Sequence, residues 1–204
     1  MCYSIKNKES GFTLIELLIA MTIGLIILTA LSSTFLLQRD IYDDQEQIVE
    51  MVQTARAAMD MMTREIRMAG YDPTGTMQRS NLTDAKFVGI PYDANKLEIY
   101  ADLNGDEDTD EPNEYIKYTM DSDFPFEIRR DTGGGRQEFA LNIQSFTFDY
   151  FDSNGNSTTT TANIRQIKIT ITARTSKPDR NYTPNSGYRT YTLTSYITPR
   201  NLAF

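Results

Sequence analysis

Chemistry in this sequence is concentrated in one short stretch, DLNGDEDTDEPNE, from Asp102 to Glu114. Seven of its thirteen side chains are carboxylic acids, and oxygen ligands recur at Asp102, Asn104, Asp106, Asp108 and Asp110. Alternate spacing on a tight loop can converge such oxygens on a hard cation, and calcium accepts six to eight of them. The same composition also suits a solvated acidic hairpin loop whose charges merely repel. Both alternatives stand at this stage. Elsewhere the inventory is sparse: histidine is absent, and the single cysteine is Cys2. That excludes a zinc site of Cys/His type and a Cys-His or Ser-His-Asp catalytic group. Carboxylate pairs remain capable of acid–base work, but sequence places no pair across a cleft. The expectation is a non-enzyme that requires no cofactor, with calcium as the one candidate ion. A formal net charge of −8 without a basic cluster argues against nucleic acid as a partner.

The opening DLNGD resembles calcium loops of the EF-hand and dockerin kind. It departs from them at Glu107, where glycine should follow Asp106, and at Asn113, which replaces the acid at the twelfth place. Strands rather than helices are expected on either side. Two other polar stretches carry less. DSNGN at Asp152 has the Asn-Gly of a tight hairpin. DTGGGRQE at Asp131 reads as a flexible connection without the strand-to-helix setting of a phosphate loop.

A second chemical oddity is Glu16, a carboxylate near the start of KNKESGFTLIELLIAMTIGLIILTALSSTFLLQ. From Leu17 to Leu37 the 21 residues carry no charge. A helix of that length spans roughly 30 Å, the thickness of a bilayer's hydrocarbon. Lys6 and Lys8 precede it, which predicts a cytoplasmic N-terminus and an exported body. A cleaved secretory signal is the first rival, but no A-x-A-like site follows the apolar run. A plain signal anchor, with Glu16 snorkelling to the interface, is the second.

GFTLIELLIAM, over Gly11, Phe12, Thr13, Leu14, Ile15, Glu16 and the following helix, resembles the processing motif of type IV pilins and type II secretion pseudopilins. The resemblance implies that a prepilin peptidase cuts after Gly11 and methylates the new amine of Phe12. Residues 1–11 would be the leader, and its loss would take Cys2 and a net +1, leaving 193 residues at −9. No disulfide-closed loop would then be possible. Glu16 becomes the fifth residue, whose carboxylate pairs with the Phe12 amine of a neighbouring subunit. The cost of a lone carboxylate in hydrocarbon, roughly 2.5 kcal/mol upward, is then offset on assembly, and the pair acts more as a register device than as net stabilisation. The tip subunit of such filaments commonly lacks this acid, which implies a neighbour above this chain.

The helical pattern continues past the membrane. Ile41, Gln45, Ile48, Val52, Ala55, Met59, Met62, Ile66 and Ala69 share one face, and Gly70 with Pro73 supplies the stop. A dimeric coiled coil is the rival to packing on a sheet. ARAAMDMMTREIRMAGYDP, ending at Pro73, resembles PilW-type minor pilins and J-type pseudopilins, and the final PRNLAF is similar to their endings. Beyond Tyr71 the period becomes two. KLEIYA at Lys96, EYIKYTM at Glu114, FEIRR at Phe126, QSFTFDYF at Gln144, RQIKITITA at Arg165 and YRTYTLTSYIT at Tyr188 read as strands. The expected fold is α+β: a long N-terminal helix packed on an antiparallel sheet. Residues 12–37 form the membrane or filament-core segment, 38–70 its amphipathic continuation, and 71–204 the exported domain.

The implied function is that of a minor pilin priming assembly or sitting near the tip. The implied partners are other minor and major pilins, prepilin peptidase, a cytoplasmic ATPase, the inner-membrane assembly platform and the bilayer. Its place is the inner membrane, then the pilus, cell surface or periplasm. A J-type pseudopilin is the near alternative. An adhesive or ligand-binding module displayed by the helix is the alternative of another class, supported by the acidic loop and by Tyr182, Tyr188, Tyr191 and Tyr196.

Overall fold

The computed structural model of the protein describes residues 11–75, 89–121, 123 and 126–202. The expected leader, with Cys2, Lys6 and Lys8, lies outside them except for Gly11. Among the described residues one α-helix, α1 (Leu14–Met68), is followed by seven strands: β1 (Lys96–Tyr100), β2 (Tyr115–Met120), β3 (Glu127–Asp131), β4 (Arg136–Leu141), β5 (Ile143–Phe151), β6 (Gln166–Arg174) and β7 (Thr190–Ile197). The chain forms two compact units, one ending at Gln45 and the other starting at Glu46.

In the first unit, every side chain of the apolar run from Leu17 to Leu37 is exposed, and the helix is long and apolar enough to cross a membrane. Water would not tolerate such a surface, whereas lipid or equivalent helices would. Its hydroxyls cause no conflict with that. Thr22, Thr29, Ser33 and Thr34 each donate to a carbonyl three or four residues back, at 2.7 to 3.0 Å, so their polar groups are satisfied within the helix itself.

In the second unit the helix buries Met51, Ala55, Ala58, Met59, Met62 and Ile66, and Ala69 just past its end, with Ile48 and Val52 partly covered. These are the 3–4 spaced positions of the amphipathic stripe, and they pack on strands of the same chain. Ile41 and Gln45 of the expected stripe are exposed instead, while Met51 and Ala58, outside it, are buried. Ile167, Ile169, Ile171 and Ala173 of β6 form the other side of this core. Gln47 fastens the start of the packed half, its Oε1 accepting from the Lys177 N–H at 2.8 Å.

Two antiparallel meanders stand where one sheet was expected: β1-β2-β3-β4 and β5-β6-β7. The missed strand is β4, whose first half, RQE, lies inside what reads as a flexible connection. RQE carries no strand-favouring side chain and is fully exposed; its pairing with β3, Arg130 opposite Gln137 and Asp131 opposite Arg136, makes it a strand. The chain steps between sheets at Asn142, which has a positive φ of 58°. Ile143 there donates its N–H to Phe126 at 2.8 Å. The Asp152–Asn156 segment is a turn, as its Asn-Gly suggests, with Asp152 Oδ1 accepting from Asn154 and Asn156 N–H groups.

Helix α1 ends at a three-way joint. Gly70, φ 72°, donates to the Tyr100 carbonyl at 2.8 Å. The C-terminal stretch closes the helix: Asn201 Nδ2 donates to the Met68 and Ala69 carbonyls, both at 3.3 Å. The Met68 carbonyl also takes the Tyr71 N–H at 3.0 Å, so acceptors that the helix end leaves without an intrahelical donor are answered from outside it. A cluster that the period-based reading does not reveal locks the helix to the first sheet. Glu65, only 6% exposed, accepts from Arg130 Nη2 of β3 at 2.6 Å and from the Tyr118 hydroxyl of β2.

Candidate functional site

At the head of α1, Thr13 and Glu16 satisfy each other. The Thr13 N–H and hydroxyl both donate to Glu16 Oε2 at 2.9 Å, and the Glu16 N–H donates to Thr13 Oγ1 at 3.3 Å. This is a capping box, Thr at the cap and Glu three residues on, which fills two donor groups that the first helical turn leaves unpaired. The carboxylate that looks stranded in the sequence therefore has a partner inside its own chain. Thr-x-x-Glu was the signal that could have revealed it. Gly11 and Phe12 precede the helix in exposed chain without regular structure, and a Cβ at Gly11 would meet nothing within 4 Å.

The acidic stretch joins β1 to β2 and folds differently from the even spacing its sequence suggests. Asp102 is fully buried, and both its oxygens are engaged by backbone: Oδ1 by the Gly105 N–H at 2.6 Å, Oδ2 by the Glu107 N–H at 3.2 Å. Asn104 Oδ1 accepts from the Asp106 N–H at 2.9 Å, and its Nδ2 donates to Asp106 Oδ2 at 2.8 Å. Asp108 Oδ1 accepts the Asp110 N–H at 3.0 Å. Glu107 adopts a left-handed φ of 75°, so the turn expected of a glycine there is made by a side chain-bearing residue.

Of the five residues expected to converge, the structure brings together Asp106 and Asp108. It groups them with Glu111 and Glu114, which alternate spacing passes over, so that one carboxylate oxygen from each of the four lies within 4.8 Å of the others. Asp102 and Asp110 are not in this group, and Asp102 shapes the loop instead. Glu114 sits at the mouth of β2, 3% exposed, with Oε1 accepting from the Leu103 and Asn104 N–H groups at 2.7 and 3.2 Å. Its Oε2 and Glu111 Oε2 are buried with no N–H or hydroxyl donor. Hydrogen-bond contact with the Glu114 carboxyl and then with Asp108, followed by desolvation and by the Asp106 and Asp108 charges, pushes the Glu111 carboxyl up to about 7.

An exposed apolar helix headed by a Gly-Phe junction and a glutamate, leading into a helix-backed antiparallel domain, defines a pilin-like protein. Comparison with known families agrees: residues 6–32 match the prokaryotic N-terminal methylation motif, so this is a type IV pilin-like structural protein processed by prepilin peptidase. Residues 44–197 match the model of prepilin peptidase-dependent protein B, and the chain belongs to that family. In structure it is similar to a type IV-like pilin from Thermus thermophilus, at 11% identity and a TM-score of 0.47, over 75% of this chain and 97% of that one. No curated protein matches it in sequence.

Proposed function

We propose that this chain is a minor pilin of a type IV pilus, closest to the PilW type, which helps prime assembly or sits near the tip. The observation that carries this reading is the head of α1: an open Gly11-Phe12 junction, then Glu16, then 21 uncharged residues with every side chain exposed. Prepilin peptidase cuts after Gly11 and methylates Phe12. The mature helix is held in the inner membrane, N-terminus cytoplasmic, until equivalent helices of other minor and major pilins replace lipid around it. The assembly platform and its ATPase supply the work. Glu16 then exchanges its hydrogen bonds with Thr13 for the Phe12 amine of a neighbour, an ion pair that sets register.

Mass spectrometry of the native N-terminus tests the processing step. Loss of eleven residues plus one methyl group is expected only in cells with active peptidase; a chain still beginning at Met1 there overturns the proposal. Glu16→Leu should be processed yet fail to enter sheared filaments. Deletion that abolishes protein secretion while leaving surface filaments intact would instead assign the chain to the J-type pseudopilins. Glycan or surface binding by the exported part would favour a displayed adhesive module.

A further inference from the structure

The β1–β2 loop holds more negative charge than its own donors answer. Asp106, Asp108, Glu111 and Glu114 bring one carboxylate oxygen each into a single group. The backbone accounts for part of this: Glu114 Oε1 takes two N–H groups, and Asp106 and Asp108 each take one. What remains is Glu114 Oε2, on a residue 97% buried, and Glu111 Oε2, both enclosed and answered by no N–H or hydroxyl, only by neighbouring carboxyls. A buried anion oxygen with no donor costs several kcal/mol unless a cation compensates it. A merely solvated loop would have turned these two oxygens outward.

We infer that Asp106, Asp108, Glu111 and Glu114 form a calcium site in the loop between β1 and β2. Four carboxylates on one ion exceed what magnesium usually takes from protein, one or two, whereas calcium accepts six to eight oxygens at about 2.4 Å. Oxygens on opposite sides of such an ion stand about 4.8 Å apart, and no pair in the group is farther apart than that. The exposed faces of Asp106 and Asp108 leave room for water to complete the shell. Asp102 and Asn104 keep the structural roles described above.

The site's location gives it a consequence. Asp102 donates its N–H to the Tyr71 carbonyl at 2.9 Å, and Gly105 lies against Pro73 and Thr74. On the other side, Asn113 donates to Thr132 in the β3–β4 turn at 3.2 Å. A cation here therefore stiffens the joint between the end of α1 and the four-stranded sheet, and does so only in a compartment rich in calcium.

The experiment uses the full chain in detergent micelles, stripped of metal with chelator. Thermal unfolding is followed with calcium or magnesium added at about 10 mM. With a dissociation constant of about 0.1 mM, at the tight end for extracellular modules, calcium should raise Tm by about 5–10 °C. Magnesium should add little. Terbium luminescence sensitised by the tyrosines, among them Tyr115 next to Glu114, should appear and be displaced by calcium. Glu111→Gln and Asp108→Asn keep the loop's backbone hydrogen bonds. Each should raise the metal-free Tm, by removing repulsion, and abolish both calcium responses. An equal response to magnesium, or calcium responses that survive in both variants, overturns the site; a processing result at Phe12 bears on neither outcome.

Discussion

Removing the Glu65 carboxylate tests how the domain is attached to its helix. Glu65 is the one charged side chain of α1 among its buried residues, and it joins α1 to two strands through Arg130 and Tyr118. Burial, and then the Glu65 charge, push the Tyr118 phenol well above its ordinary value, so it remains a donor wherever the protein is folded. Glu65→Ala leaves a guanidinium and a phenol unanswered. Breaking a buried pair from one side costs about 3–5 kcal/mol. The Arg130 side chain is still 18% exposed and can recover some water, which favours the lower end. The lost Tyr118 bond adds about 1 kcal/mol. The expected total, about 3–4 kcal/mol, corresponds to a Tm drop of about 10 °C for a domain of this size. The chain lacks tryptophan and has 12 tyrosines, so near-ultraviolet circular dichroism of the full chain in micelles reports their packing. Tyr118→Phe should cost about 1 kcal/mol alone. Glu65→Ala with Arg130→Ala should cost less than the two singles summed, by about 2 kcal/mol, because the partners share one interaction. A Glu65→Ala loss under about 1 kcal/mol, or singles that simply add, would refute the argument.

Thr13→Ala should destabilise the first turn of α1 by about 1 kcal/mol, seen as faster amide exchange at Ile15 and Glu16 in micelles, with the domain's Tm unchanged. Gly89→Ala should lower Tm by several degrees. A Cβ at its φ of 76° meets the Gly70 nitrogen at 2.4 Å, a backbone contact with no side chain to yield. The Asp179 carboxyl is held below its ordinary value, first by the Asn181 N–H and then by Arg189. Its contribution is therefore present above the unfolded value near 3.8 and fades as pH falls through the lower folded value. The Tm gap between wild type and Asp179→Asn should be full at about pH 6 and should narrow below about pH 3.8, measured in a pH series of melts.

The long helix, its apolar head, its 3–4 spaced stripe and its stop at Gly70 were legible in the sequence, because each depends on neighbours within a turn or two. So were six of seven strands, whose side chains alternate, and Gly11, Phe12 and Glu16 were readable as a motif. What needed three dimensions was everything decided by a partner far along the chain. RQE becomes the first half of β4 only because β3 lies beside it, and the sheet divides in two because the chain turns at Asn142. Glu65, on the buried side of α1, is explained only by Arg130 and Tyr118, more than fifty residues on. The acidic loop shows the same limit. Even spacing selects Asp102, Asn104, Asp106, Asp108 and Asp110, but the backbone claims Asp102 for its own turn and folds Glu111 and Glu114 inward. Composition determined that this loop would carry charge, and the path of the backbone decided which carboxylates face one another.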